Sequence, residues 1–136
     1  MSKSIGVSSL FQRALFGAAC WSAASCSNPF SGGDCLAIGV FAISATVVDA
    51  NTGKAPTASP QLRIEDGTFV EEYLTPMPRT DPPSFSGAAE RVGVYRVVVT
   101  AMGYRDFVAE GIVVRRAGNC QYLQGVRLNV KLVSSR

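Results

Sequence analysis

The stretch GVYRVVVTA, residues 93–101, has a clear strand pattern from which the fold class of this chain can be predicted. Its apolar side chains recur at every second position and therefore share one face, and they are Tyr95, Val97, Val99 and Ala101. The intervening Arg96 and Thr100 are polar. A period of two residues with one apolar face is typical of a half-buried β-strand. The stretch therefore predicts a sheet that packs one face against a core.

Strand patterns continue on both sides of this stretch. Residues 125–133 alternate in the same way, and the side chains expected to point inward are Val126, Leu128, Val130 and Leu132. Residues 40–48 are rich in β-branched side chains, and those expected on the inner face are Phe41, Ile43, Ala45 and Val47. Shorter strands are predicted over residues 61–65, 68–74, 86–91 and 105–115. About seven short strands with frequent turns predict an all-β fold, a single seven-stranded, Greek-key-like β-sandwich.

Three local signals refine this picture. Asp66-Gly67 is a two-residue turn that would close a hairpin between the second and third strands. Gly111 is a candidate β-bulge, because glycine inside a strand pattern often marks one. Residues 75–84 contain four prolines, which cannot donate the backbone hydrogen bonds of an interior strand, so we expect a long irregular loop there.

The beginning of the chain predicts export to the cell envelope. Lys3 and Arg13 precede a short apolar run, and the small residues of Ala24-Ser25 stand directly before Cys26. This arrangement is typical of a secretory signal, residues 1–25, whose cysteine becomes lipidated and anchors the mature chain in a membrane. Ala23 stands where leucine is most common, so ordinary cleavage after Ala24, which yields a secreted or periplasmic protein, stays open. An uncleaved anchor or a buried apolar segment is the third possibility.

The remaining cysteines extend this prediction. Cys20 lies in the leader and Cys26 is the candidate lipid site, which leaves Cys35 and Cys120. A disulfide between these two would tie both ends of the domain together, and disulfides persist in oxidising compartments. Two unpaired buried thiols are the alternative. Neither Cys35 nor Cys120 belongs to a CxxC pattern, which is typical of redox and zinc sites.

The length and the net charge of the chain limit its possible functions. Residues 26–35 form a tether rich in Gly, Ser, Asn and Pro, and residues 36–136 suffice for one domain. Subtracting Lys3 and Arg13 from the net charge of +3 leaves about +1 for the mature chain. We therefore expect no nucleic-acid partner. In a Gram-negative cell, Ser27 after the lipidated cysteine would direct the protein to the outer membrane.

Two motifs carry a family resemblance. Residues 93–104, from Gly93 to Tyr104, resemble the GxYxVxVxAxGY signature of carboxypeptidase regulatory-like domains, and residues 45–56 resemble the first strand and turn of that family, VxDxxTGxPxxxA. The resemblance covers roughly residues 41–132. It implies a transthyretin-like β-sandwich, in which Tyr95 and Tyr104 are packing residues rather than catalytic ones.

The residues argue against catalysis. The chain contains no histidine, which removes the usual zinc ligand of carboxypeptidases and the usual base near neutral pH. We therefore expect no enzyme activity, no catalytic residue, no metal and no cofactor. The carboxylates of Glu65-Asp66 and Glu71-Glu72 could surround a calcium ion, but they lack the spacing of a calcium loop, which favours a solvated hairpin face. Arg115-Arg116 could contact anions, with edge protection as the alternative.

Two functions fit the sequence. The first is a non-catalytic cell-envelope lipoprotein whose sandwich is a scaffold or a protein-interaction module, with a protein or peptide partner. The second is a module that binds a small ligand, carbohydrate or peptide. For the first function the candidate contact surface is the loop of residues 75–84, and for the second it is the same loop together with Tyr73 and Tyr122, which could flank a ligand site. The candidate contact residues are Tyr73, Met77, Arg79, Asp81 and Tyr122.

Overall fold

A computed structural model describes Cys35 and residues 38–136. The predictions for Cys26, for the leader at residues 1–25 and for most of the tether lie outside the described residues. The described chain forms eight strands: β1 (Phe41–Asp49), β2 (Gln61–Asp66), β3 (Phe69–Tyr73), β4 (Ser84–Ala89), β5 (Gly93–Thr100), β6 (Phe107–Ala117), β7 (Tyr122–Gln124) and β8 (Val126–Leu132). The predicted all-β class is confirmed, whereas the predicted number of seven strands is wrong.

The strands form two sheets. The small sheet has the order β4-β1-β8, in which β1 pairs antiparallel with β4 and parallel with β8. The large sheet has the order β3-β2-β5-β6-β7, and all its neighbours are antiparallel. The inner faces of both sheets supply one hydrophobic core, as expected of a sandwich.

The core explains why the alternating stretches fold as they do. Tyr95, Val97 and Val99 are fully buried on β5, while Val94 on the opposite face is 56% exposed. The Tyr95 hydroxyl donates a hydrogen bond to the carbonyl of Arg91 at 2.9 Å, so this large side chain is buried with its polar atom satisfied. The predicted inner faces of residues 93–101 and 125–133 are confirmed.

Phe41 and the first hairpin differ from the prediction. Phe41 is 47% exposed, because it is the first residue of β1 and lies where the small sheet ends, and Ala42 is buried beside Ile43 instead. In the hairpin, Asp66 pairs with Phe69, so Gly67-Thr68 is the two-residue turn rather than Asp66-Gly67. Gly67 has a φ of 59°, a left-handed conformation that glycine adopts without a steric penalty.

Strand β7 was not predicted from the sequence. Its three residues pair with the end of β6, and only Gly125 separates it from β8 in the other sheet. A three-residue strand is too short to show an alternating pattern, so β7 is defined by its pairing with β6. The predicted bulge at Gly111 is confirmed, because the register of β5 and β6 shifts there and Gly111 has a φ of 68°.

The disulfide joins Cys35 to Cys120, whose Cα atoms are 5.5 Å apart. The bond fastens the beginning of the described chain to the connection between β6 and β7. We call this end of the sandwich the near end. The opposite end, called the far end, carries the connections at residues 50–60, 74–83 and 101–106, and the C-terminal residues.

Candidate functional site

The connection between β3 and β4, residues 74–83, is the candidate contact loop, and the structure shows how it is held. The hydroxyl of Thr80 donates to the carbonyl of Met77 at 2.9 Å and accepts a hydrogen bond from the backbone N–H of Ser84 at 3.1 Å. The N–H of Met77 donates to the carbonyl of Ser84 at 2.8 Å. These bonds close the loop on itself.

The base of the contact loop is also fastened to the small sheet. The N–H of Val47, on β1, donates to the carbonyl of Pro83 at 2.9 Å. Met77 is 46% exposed, and Arg79 and Asp81 are exposed beside it. The structure therefore brings three of the five predicted contact residues together on one closed loop at the far end.

Tyr73 does not belong to this exposed group. It lies on the inner side of β3, where its ring occupies the space beside the backbone of Gly87 on β4. Burial, together with the negative charge of Glu71, raises the pKa of Tyr73 to about 12. The side chain therefore packs between the two sheets beneath the loop.

Tyr122 is also separate from the contact loop. It lies on β7, which is one edge of the large sheet, whereas Tyr73 lies on β3 at the other edge. Four strand spacings of about 4.8 Å place these edges roughly 19 Å apart. Tyr122 is 37% exposed and pairs with Ala117 toward the near end. The two tyrosines therefore do not flank a common ligand site.

The acidic residues of the first hairpin are engaged by cations. Arg63 contacts Glu65 at 2.6 Å and Glu72 at 3.1 Å, and Arg96 contacts Glu65 and Glu110, each at 2.9 Å. The five side chains form one row across the outer face of the large sheet. The hydrogen bond from Arg96 is the largest of the effects that lower the pKa of Glu65.

The other two carboxylates of the hairpin also have partners. Glu71 accepts a hydrogen bond from the N–H of Ala88 at 2.6 Å, and Asp66 lies 3.6 Å from the guanidinium of Arg91. Within residues 38–136 and Cys35, no three Cys, Asp or Glu side chains are grouped closely enough to hold a metal ion. The structure thus assigns these carboxylates to ion pairs and backbone contacts.

The candidate anion contacts Arg115 and Arg116 behave differently from each other. Arg116 donates to the carbonyls of Glu90 at 3.0 Å and Gln121 at 3.2 Å, and so links two connections at the near end. Arg115 is exposed and forms no ion pair with a described residue. Arg116 therefore has a structural role, and Arg115 is a solvated cation.

A polar cluster at the far end was missed by sequence reasoning. Asp49 accepts hydrogen bonds from the N–H groups of Asn51 at 2.8 Å and Thr52 at 2.9 Å, and from the hydroxyl of Tyr104 at 2.8 Å. The N–H of Thr57 donates to the Tyr104 oxygen at 3.2 Å. The bonds from Thr52, Tyr104 and Asn51, in that order of effect, lower the pKa of Asp49.

This cluster joins the two signature motifs. Asp49 comes from the first motif and Tyr104 ends the second, 55 residues later. The signal was present in the sequence as the Asp of VxDxxTG and the Tyr that follows Gly103, but spacing alone does not show that the two meet. The Asp49 carboxylate and the Tyr104 hydroxyl are both hydrogen-bonded within the cluster, so the geometry indicates a packing role.

Comparisons with known proteins do not assign this chain to a family. No protein-family model matches this chain, and no curated protein matches it significantly. In the part of the chain that the structure describes, no helix is long and apolar enough to cross a membrane.

Proposed function

We propose that this chain is a cell-envelope lipoprotein, anchored by lipid on Cys26, whose carboxypeptidase regulatory-like sandwich is a non-catalytic protein-interaction module. The observation that carries the proposal is the closed contact loop. Thr80 bonds both Met77 and Ser84, so the loop presents Met77, Arg79 and Asp81 in a fixed arrangement. Fixing a loop before binding reduces the entropy lost on association.

The position of the loop supports this proposal. The disulfide fastens Cys35 at the near end, and the contact loop lies at the far end. A protein tethered through residues before Cys35 would therefore hold the loop away from its attachment point. The disulfide supports an oxidising compartment, and the lack of histidine supports a role without acid–base catalysis.

The alternative, a small-ligand module, depended on aromatic side chains beside the loop. Tyr73 is packed between the sheets, and Tyr122 is at the opposite edge. No tyrosine therefore stacks beside Met77 to form a sugar platform. The geometry favours a protein partner.

Mass spectrometry of the purified mature protein tests the anchor. We expect a mass that begins at Cys26 and includes acyl chains. A mature chain that begins at Ser25 without acyl groups would replace the anchor with ordinary secretion. The same measurement with and without reductant should differ by two mass units for the Cys35–Cys120 bond.

Photo-crosslinking in the cell tests the interaction. A photoreactive amino acid at position 77 should give a discrete crosslinked partner. Position 94 is the matched control, because Val94 is 56% exposed on the outer face of the large sheet. Equal crosslinking from both positions, or none from position 77, would contradict the proposed contact loop.

A further inference from the structure

We propose that the contact surface extends from Met77 across the small sheet to the free edge of β8, and that the partner contributes an acidic segment that pairs with β8 as an added strand. This inference rests on the proposed interaction function and names the chemistry of its partner. It combines three properties of β8 in the described part of the chain: an unpaired edge over Val126–Leu132, two cations that form no ion pair there, and a groove of apolar and charged residues at one end.

The two edges of the small sheet differ. The edge at β4 is engaged at both of its ends, because Ser84 is bonded to the contact loop through both its N–H and its carbonyl, and the N–H of Ala88 is bonded to Glu71. Strand β8 pairs only with β1, and in the described part of the chain its other side faces no paired strand over Val126–Leu132. An open strand edge is the site at which extended peptides add to a sheet.

The outer face of β8 is positively charged. Arg127 and Lys131 are exposed on this face, and Asn129 lies between them. Neither cation forms an ion pair with a described residue, whereas Arg63, Arg91, Arg96 and Arg116 each contact a carboxylate. The neighbouring outward residues on β1 and β4 carry no charge, and they are Ser44, Thr46, Val48, Ser84 and Ser86.

A continuous concave surface connects β8 with the contact loop. Met77 and Ser84 form one side of a cavity of about 430 Å³, and Arg127 and Asn129 form the other. A second groove, of about 330 Å³, lies at the far end of β8; its lining combines apolar Phe107, Val108 and Val133 with charged Arg105, Asp106 and Lys131. A partner bound to the loop can thus continue along β8 and place an apolar side chain in this groove.

The charges select the occupant. A second copy of the chain is disfavoured, because two β8 edges pairing antiparallel around Asn129 would place Arg127 opposite Lys131, and like charges on facing residues destabilise a sheet. Arg127 and Lys131 are four residues apart on one face, about 13 Å along the strand. An extended segment with Asp or Glu at positions i and i+4 matches both cations.

Synthetic peptides test the inference on the purified full-length protein. The probe is a nine-residue peptide of alternating Val and Thr with glutamate at its third and seventh positions, and the control peptide carries lysine there. We expect the glutamate peptide alone to bind at low salt, and to slow hydrogen exchange of the β8 amides. Methylation of alternate backbone nitrogens in the peptide should weaken binding at least tenfold, because the added strand loses its hydrogen bonds.

Protein variants provide the matching control. The double variant Arg127→Glu/Lys131→Glu should bind the glutamate peptide at least tenfold more weakly, and Arg127→Gln/Lys131→Gln should lie between it and the unmodified protein. Arg115→Glu removes an exposed cation on the large sheet and should leave binding unchanged. The inference is overturned if the peptide fails to bind at millimolar concentration, if methylation has no effect, or if Arg115→Glu weakens binding equally.

The crosslinking experiment separates this inference from the proposed function. A partner crosslinked at position 77 with the same yield in the Arg127→Glu/Lys131→Glu variant would overturn the β8 contact and leave the interaction module standing. Loss of that crosslink in the double variant, but not in Arg115→Glu, would support both.

Discussion

Substituting Gly87 by alanine tests the packing between the two sheets. A Cβ atom at Gly87 would lie 2.6 Å from Cδ1 of Ile64, 2.8 Å from Cε2 of Tyr73 and 2.9 Å from the Tyr73 hydroxyl oxygen. Carbon atoms normally approach to about 3.5–4.0 Å. The end of Ile64 can rotate, but the rigid ring of Tyr73 has to move as a whole, away from the position in which it fills the space beside β4.

The expected cost follows from this overlap. Inserting a methyl group into a packed core typically costs about 1–3 kcal/mol. Replacing glycine by alanine also restricts the unfolded chain, which contributes about 0.4–1 kcal/mol in the opposite direction. We therefore expect Gly87→Ala to lower the free energy of unfolding by about 1–2 kcal/mol, which corresponds to a fall of roughly 5–15 °C in Tm for a domain of this size.

Urea unfolding of Gly87→Ala, measured beside two controls, provides the assay. Gly39→Ala is the matched control, because a Cβ there meets no atom within 4 Å. Its stability should change by no more than about 0.5 kcal/mol. In a Tyr73→Ala background the penalty of Gly87→Ala should shrink, because the ring is gone. A Gly87→Ala protein as stable as the unmodified protein would refute the inward placement of Tyr73.

Three further predictions concern stability. Replacing Cys35 and Cys120 together by serine should reduce the free energy of unfolding by up to about 4.6 kcal/mol, because the bond closes a separation of 85 residues, and urea unfolding with and without reductant checks this. Because the pKa of Asp49 is lowered in the folded protein, the stability that its carboxylate contributes is complete above the unfolded pKa near 3.8 and is lost as pH falls through the folded pKa. Asp49→Asn should therefore destabilise the protein at pH 6 and become as stable as the unmodified protein in strong acid. Tyr104→Phe should weaken this dependence of stability on pH. The raised pKa of Tyr73 means that stability falls as pH rises from 10 toward about 12, and Tyr73→Phe should remove part of that fall in unfolding measured across this range.

Local patterns predicted the strands that face the core on one side. Residues 93–101 alternate strictly, and burial follows that alternation because only one face of β5 contacts the other sheet. Phe41 was wrongly predicted to be buried, because it lies at the end of a strand where no opposing sheet covers it. Strand β7 was not predicted, because its three residues depend on pairing with β6 rather than on their own composition.

The candidate site was only partly predictable. Four prolines marked the contact loop, and the structure places Met77, Arg79 and Asp81 on it. The sequence did not show that Tyr73 points inward and that Tyr122 lies at the opposite edge, because the direction of a side chain depends on strand register.

The all-β class, the alternating strands and the pairing of Cys35 with Cys120 could be predicted from the sequence alone. Each of these depends on residue types or on spacing along a few neighbouring positions. Which distant residues meet is visible only in the folded chain: Asp49 contacts Tyr104, Tyr73 lies against Gly87, and Met77 borders the surface that leads to β8. Those contacts depend on sheet order and register, which arise from packing two apolar faces together and cannot be read from any single segment.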